Sequence, residues 1–259
     1  MKTQKGTRIY FFFLTNNELL CDQFSIMNKR NRKKIVALTG AGISAESGIT
    51  TFRDSGGLWE QYDVMEVASI EGWRKNPQLV QRFYNDRRKQ LAEVEPNAAH
   101  RVLAELEKDF DVTVVTQNVD NLHERAGSTN IIHLHGELTK ARSSINPDLI
   151  VDIGFRPIEW GEKASDGSQL RPHIVWFGEA VPMIETAAET VALADILVII
   201  GTSLNVYPAA GLVGYANRKA EIYLIDPNEV TYPGKNITVI REKATVGIEK
   251  FQNIIIQKS

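Results

Sequence analysis

Short apolar runs alternate with longer stretches whose apolar positions recur every three or four residues. Ile35–Leu38, Val112–Thr116, Ile131–His135, His173–Phe177, Ile196–Ile200, Ile222–Ile225 and Ile237–Ile240 are brief and mostly apolar. Runs of that length predict strands buried on both faces, as in a parallel sheet. The intervening stretches predict helices. Over 58–95 the pattern is helical; Asn76-Pro77 supplies a cap and a first-turn proline, and Pro96 limits the far end. Between them Val80, Phe83, Tyr84, Arg87, Leu91 and Val94 share one face. Asn97–Glu107, Ile184–Leu193, Ala209–Asn217 and Thr245–Ile256 predict further helices. Strands alternating with helices imply an α/β protein with a doubly wound parallel sheet of the Rossmann type. Ser143–Leu170 breaks the rhythm with Pro, Gly and Asp, which predicts an irregular lobe.

The expected organisation follows from these shifts. Residues 33–57, 96–136 and 173–259 read as the sheet domain. The helical insertion 58–95 and the irregular insertion 137–172 read as a small split lobe. Residues 1–32 read as a dispensable extension with a working start near Met27, which the intact mass of the native protein tests. Its apolar run Ile9–Leu14 is too short to span a membrane.

Composition narrows the function classes. The 259 residues are 43% hydrophobic and 24% charged, as in an ordinary globular protein. A net charge of -2 gives no electrostatic case for nucleic acid, and no membrane partner is expected. The single cysteine, Cys21, excludes an internal disulfide and any multi-cysteine zinc site. A cytoplasmic location is expected. The sequence leaves the oligomeric state open.

Chemistry concentrates at strand ends. After Ile35–Leu38 comes Gly40-x-Gly42-x-x-Ala45, the spacing of a dinucleotide turn, with Ser44, Ala45 and Glu46 expected to open a phosphate-binding helix. A polar, glycine-rich loop over 50–57 replaces the strand that a dehydrogenase would have. Gln117, Asn118 and Asp120 end another strand, with amides and a carboxylate suited to ribose and carboxamide groups. A simple Asn/Asp turn is the plainer alternative. His133 and His135 lie two apart and share a strand face. A histidine titrating near neutrality suits a general base. A core histidine pair and a metal-binding pair remain alternatives, the second without nearby acids or cysteines in the sequence. Arg87 is costly in an apolar stripe unless it meets an anion, and its planar fork suits a carboxylate. A structural ion pair is its plainer role. Arg88 reads as a solvated neighbour.

Gly40 to Trp59, Gln117-Asn118-Val119-Asp120, His133-Leu134-His135-Gly136, Trp176-Phe177-Gly178-Glu179 and Gly201-Thr202-Ser203 together resemble the sirtuins, NAD-dependent protein-lysine deacylases. The likeness runs in the family's order over about residues 33 to 250. It implies that NAD meets Gly40, Ala41, Gly42, Ile43, Ser44 and Glu46. The loop residues Thr50, Phe52, Arg53, Asp54 and Trp59 would close over it. Gln117 would lie against the ribose, Asn118 and Asp120 would line the nicotinamide pocket, and Val119 would also contact NAD. Gly201, Thr202 and Ser203 would serve the pyrophosphate or the adenosine ribose, Asp226, Pro227 and Asn228 the adenosine end, and Ala244 the adenine. The resemblance selects His135 as catalytic base, with Asn118 and Asp120 as catalytic partners. It assigns acyl-lysine peptide to the edge at Val175, Phe177, Gly178 and Glu179. Tyr84-x-x-Arg87 resembles the class that removes succinyl and malonyl groups, which implies an acidic acyl preference.

One departure is plain. Most sirtuins hold a structural zinc with two cysteine pairs; here Ser143, Ser144, Ile145 and Asn146 follow Leu138–Arg142, and 163–166 also lacks cysteine. No metal is expected, and the lobe should be held by Ile145, Leu149, Ile150, Ile153, Phe155, Ile158 and Trp160. Two rivals use the same motifs: NAD cleavage or ADP-ribosyl transfer, and a non-catalytic NAD-sensing module.

Overall fold

A computed structural model of the protein describes residues 32–49, 62–230 and 234–258. The readings of the extension before residue 32 and of the loop over 50–57 lie outside them. Residues from Lys33 onward gather into one compact unit.

The elements alternate as the apolar pattern requires. Strand β1 (Lys34–Thr39) leads into the short helix α1 (Ala41–Ala45). Helices α2 (Val64–Val67), α3 (Ile70–Lys75), α4 (Pro77–Glu93) and α5 (Ala98–Leu106) follow. Asn76 caps α4 with its side chain, as the Asn76-Pro77 signal implies, and Asn97 caps α5 in the same way. Next come β2 (Asp111–Thr116), α6 (Leu122–Ala126), β3 (Ile131–His133), β4 (Gly136–Ser143), β5 (Ile150–Asp152) and β6 (Leu170–Ile174). The chain then runs through α7 (Ile184–Ala192), β7 (Ile196–Ile200), β8 (Glu221–Ile225), β9 (Ile237–Ile240) and α8 (Ala244–Gln257).

Six strands form one parallel sheet in the order β3-β2-β1-β7-β8-β9. Alternate residues face opposite layers. Ile35 and Ala37 pack with Leu103 of α5 and Phe251 of α8, whereas Val36 and Leu38 pack with Val191 of α7. Because both faces are covered, the central strands carry no polar face.

Three expectations need correction. The helix expected over Ala209–Asn217 is a 3₁₀ helix over Ala209–Tyr215. It lies against the sheet through Leu212 and Val213, so packing rather than an α-helical hydrogen-bond ladder holds it. The irregular lobe expected over 137–172 contains a three-stranded antiparallel sheet, β5-β4-β6. The run read as a parallel strand over His173–Phe177 is partly β6, which pairs with β4. β5 is short and fully exposed, and β4 and β6 mix buried polar residues such as Thr139, Arg142, Ser143 and Arg171 with apolar ones, so no clean apolar period marks them.

The lobe's core also differs. Ile153 and Ile158 are buried with Ala141 and Leu170, but Ile145, Ile150, Phe155 and Trp160 are exposed. Polar contacts take their place. Ser143 Oγ donates to Asp166 Oδ2 at 2.6 Å and accepts from the backbone N–H groups of Ile145 and Asn146. A second cluster joins α4 to β4 and β6 through Val80, Phe83, Tyr84, Leu138, Ile174 and Trp176. No helix among the described residues is long and apolar enough to cross a membrane.

Candidate active site

The chain order reverses between β1 and β7, which are neighbours in the sheet. In open α/β sheets ligands bind at such a reversal, beyond the carboxyl ends of the strands. Two glycine turns meet there. Gly40 N–H donates to Ile200 O at 3.0 Å, and Gly42 N–H to Gly201 O at 2.8 Å. A Cβ on Gly42 would lie 2.6 Å from Gly201 Cα, and Gly201 has φ +61, so both positions require glycine. Helix α1 opens at Ala41 with Gly40 as its cap, not at Ser44–Glu46 as expected. Ser44 is buried within it, and Ile43 O accepts from Asn97 Nδ2 at 2.7 Å. Glu46 ends the helix and accepts from both N–H and Oγ1 of Thr245 at 3.0 Å.

The end of β2 closes onto this turn. Asn118 Nδ2 donates to Gly40 O and Ser44 Oγ, each at 3.1 Å. Ser44 Oγ donates to Asp120 Oδ2 at 3.0 Å, and Leu122 N–H to Asp120 Oδ1 at 3.2 Å. Gln117 Nε2 donates to Thr202 Oγ1 at 3.1 Å. Residues from three distant segments therefore form one hydrogen-bonded group. Burial pushes the Asp120 carboxyl up; its two hydrogen bonds, His133 and Arg87 pull it back towards the charged form.

The two histidines differ in state. His135 Nδ1 lies 2.9 Å from Gln117 O, an acceptor only, so Nδ1 carries the proton in that contact. Burial lowers the ring's pKa, which keeps it neutral. Its Nε2 then presents a lone pair with no hydrogen-bond partner among the described residues, the state a general base needs. His133 is held at both nitrogens: Nδ1 is 3.3 Å from Asn118 O and Nε2 is 2.6 Å from Glu124 Oε1. Burial opposes its charge, but Glu124, Glu137 and Asn118 O outweigh burial and raise its pKa.

Acids do stand near this pair, contrary to the expectation that none would. Glu124, His133 and Glu137 are the one group of three such side chains, among the described residues, whose ligand atoms all fall within 4.8 Å. They are already engaged, His133 with Glu124 and Glu137 with Lys140 Nζ at 2.6 Å. The ion pairs account for the cluster. It was not legible beforehand because Glu124 and Glu137 flank the histidines from different elements.

The Sir2 family model matches residues 40–208. An NAD-dependent protein deacylase of Bacteroides thetaiotaomicron is 61% identical over 232 residues, covering 86% of this chain and 98% of its own. The chain belongs to the Sir2, or sirtuin, family. A Sir2 homologue solved with NAD aligns with a TM-score of 0.79 and 37% identity, covering 92% of this chain and 94% of its own. A mutant Sir2 homologue in complex with ADP-ribose aligns at 0.81 with 36% identity, over 92% and 97%.

The expected peptide side of this sirtuin lies beside the histidines. Val175 N–H donates to His135 O at 2.9 Å. Phe177 is exposed, but its backbone is engaged: N–H donates to Ala68 O and its carbonyl accepts from Ile70 N–H. Gly178, also exposed, has φ +87. Glu179 is bound by Arg142 and Arg171 and accepts from Trp176 N–H at 2.9 Å. Its carboxylate thus fixes the loop, which sequence reasoning missed because the partner arginines lie in β4 and β6. Arg171 also stacks on the Trp176 ring at 3.5 Å.

Tyr84 and Arg87 are both buried on α4. The Tyr84 ring lies 6.1 Å from that of Trp176, and burial pushes its hydroxyl up to about 12. Burial lowers Arg87, while Tyr84 and Asp120 favour its charge, which ties it to the Asn118–Asp120 turn. Arg88 is not a solvated neighbour. It is fully buried, donating to Leu138 O at 2.6 Å and Asn85 Oδ1 at 2.8 Å, and so joins α4 to β4. A second arginine in the helix stripe is tolerated because a carbonyl meets it.

The remaining candidates sit further along the strand ends. Thr202 is buried and Ser203 exposed after β7, and Gly201 N–H donates to Ile225 O. Asp226 is buried after β8, where it accepts from Asn228 N–H at 2.9 Å in an Asx turn. Pro227 is exposed beside it. Ala244 starts α8, next to the Glu46–Thr245 contact rather than in the 40–118–202 group. Val119 is half-buried and its carbonyl accepts from Leu138 N–H. Thr50, Phe52, Arg53, Asp54 and Trp59 lie outside the described residues.

Proposed function

We propose that this sirtuin uses NAD to remove acyl groups from protein lysine side chains and favours acidic groups such as succinyl and malonyl. The observation that carries the deacylase reading is His135, whose Nδ1 meets Gln117 O and whose Nε2 has no hydrogen-bond partner among the described residues. NAD supplies an activated ribose from which nicotinamide departs as the lysine acyl oxygen bonds to the anomeric carbon. His135 would then take the proton of a ribose hydroxyl, which attacks the acyl carbon; a water molecule would add there as the lysine amine leaves, and the bond from that carbon to the anomeric oxygen would break, giving free lysine and O-acyl-ADP-ribose. Asn118, Asp120 and Ser44 would hold the carboxamide end, and Gly40, Gly42 and Gly201 would let the backbone approach the pyrophosphate. Much of the rate would come from fixing the two reactants at near-attack distance.

The acidic preference rests on Arg87, which is buried on α4 three residues after Tyr84 and whose planar fork suits a carboxylate. Mass spectrometry of NAD-containing reactions over a panel of acyl-lysine peptides tests both parts. Acyl-ADP-ribose, formed with a higher kcat/KM on succinyl- than acetyl-lysine, is expected. Free ADP-ribose with unaltered peptide would favour the NAD-cleaving rival, and a strong acetyl preference would remove the role of Arg87.

We also read the chain as free of structural zinc and as cytoplasmic. Where cysteines are expected stand the hydroxyl of Ser143 and the amide of Asn146, a donor set that does not suit zinc. The Ser143–Asp166 hydrogen bond would do the stapling. Elemental analysis of purified protein should find no stoichiometric zinc; one zinc per chain would overturn the reading.

A further inference from the structure

Two histidines two residues apart each hold one carbonyl of the same turn. His135 Nδ1 meets Gln117 O, and His133 Nδ1 meets Asn118 O. Only the second has a carboxylate behind it: Glu124 Oε1 lies 2.6 Å from His133 Nε2. The His133 side chain is 10% exposed and that of Glu124 38%, so the ring is shielded and its carboxylate reaches it from the rim. A carbonyl and a carboxylate are both acceptors, so a ring between them serves both only with a proton on each nitrogen.

We propose that the Glu124–His133 pair is a positioning device for the nicotinamide end of the cleft. The pair acts through Asn118: Glu124 orients the imidazolium, the imidazolium pins the Asn118 carbonyl, and the pinned turn sets the Asn118 amide on Gly40 O and Ser44 Oγ. The same Ser44 hydroxyl donates to Asp120. His133 never touches the substrate in this scheme. The proposal rests on reading Asn118 and Asp120 as the carboxamide side, and goes beyond it by naming what holds them.

The electrostatic surroundings agree. Facing His133 are Glu124 from α6 and Glu137 from β4, with Lys140 beside both acids and Asp120 and His123 on the protein side. The acids raise the ring's pKa. The clamped form is therefore present below that raised value and is lost as pH rises through it. The positive ring also favours the charged form of Asp120.

Isosteric variants separate positioning from mere structure. Asparagine places its amide where Nδ1 was, whereas glutamine reaches only towards Nε2. H133Q is expected to raise the KM for NAD and weaken nicotinamide inhibition about tenfold, with a smaller change in kcat. H133N should stay within about threefold of wild type for both. The alkaline rise in KM expected of wild type should be absent from H133N and move to lower pH in E124Q. E124Q alters only the rim partner and keeps the test available should H133Q fold poorly. Unchanged KM, nicotinamide inhibition and pH profile in H133Q and E124Q would overturn the proposal, as would equal losses in H133N and H133Q. H135A, assayed in parallel, should lose about a hundredfold or more in kcat; unaltered turnover there would instead sink the deacylase reading.

Discussion

Replacing His135 with alanine is expected to lower kcat for deacylation about a hundredfold or more while leaving NAD affinity within a few-fold. The expectation follows from what the ring touches. Its one ring hydrogen bond among the described residues is from Nδ1 to Gln117 O, so its loss leaves a backbone carbonyl, not a cofactor contact, without a partner. The Gly40, Ser44, Asn118 and Asp120 group has its own hydrogen bonds and should persist. Burial lowers the pKa of His135, so the base form is present above that lowered value and is lost only as pH falls through it. The wild-type acid limb should therefore lie below that of an ordinary histidine. Steady-state kinetics and calorimetric NAD titration check both halves. Unaltered turnover would remove His135 from the chemistry.

Gly201→Ala is expected to damage the cleft severely. Its Cβ would lie 2.4 Å from Ile43 N and 2.5 Å from Gly42 C, which are backbone atoms that cannot rotate away. The residue also has φ +61, where alanine is disfavoured by roughly 1 kcal/mol. Overpacking adds about 1–3 kcal/mol more, or is relieved by parting the two glycine turns. A fall in Tm of roughly 10 °C together with loss of NAD binding is expected. Gly167→Ala is the control, because Gly167 has φ +80 but nothing within 4 Å of a new Cβ. It should cost only the conformational part and leave NAD binding intact. Equal effects of the two substitutions would show that crowding between the turns is not what matters.

The parallel sheet was legible because its strands are buried on both faces. Ile196–Ile200 is apolar at every position and lies fully inside, so length and continuity identify it. The cap at Asn76 was legible for a local reason, since a cap is written within four residues. The small antiparallel sheet was not. Ile150–Asp152 is exposed at every position and pairs with β4 through its backbone, which leaves no apolar period to detect.

At the site, strand-end residues could be nominated one motif at a time, but their partners could not. Arg88 was misread because a buried guanidinium is identified by the carbonyl of Leu138, fifty residues away. The roles of Glu124 and Glu179 likewise depend on tertiary neighbours: His133 for the first, Arg142 and Arg171 for the second. The different states of His133 and His135 were also out of reach, since alternation puts them on one face but cannot say which has a carboxylate behind it.

The central claim is that the Gly40 turn, the Asn118–Asp120 turn and His135 surround a single nicotinamide riboside. A crystal structure with NAD and an acyl-lysine peptide tests it most directly. The nicotinamide carboxamide should meet Asn118 and Asp120, and a ribose hydroxyl should lie within hydrogen-bond distance of His135 Nε2. A dinucleotide whose nicotinamide ribose lies away from His135, with that ring facing elsewhere, would contradict the account.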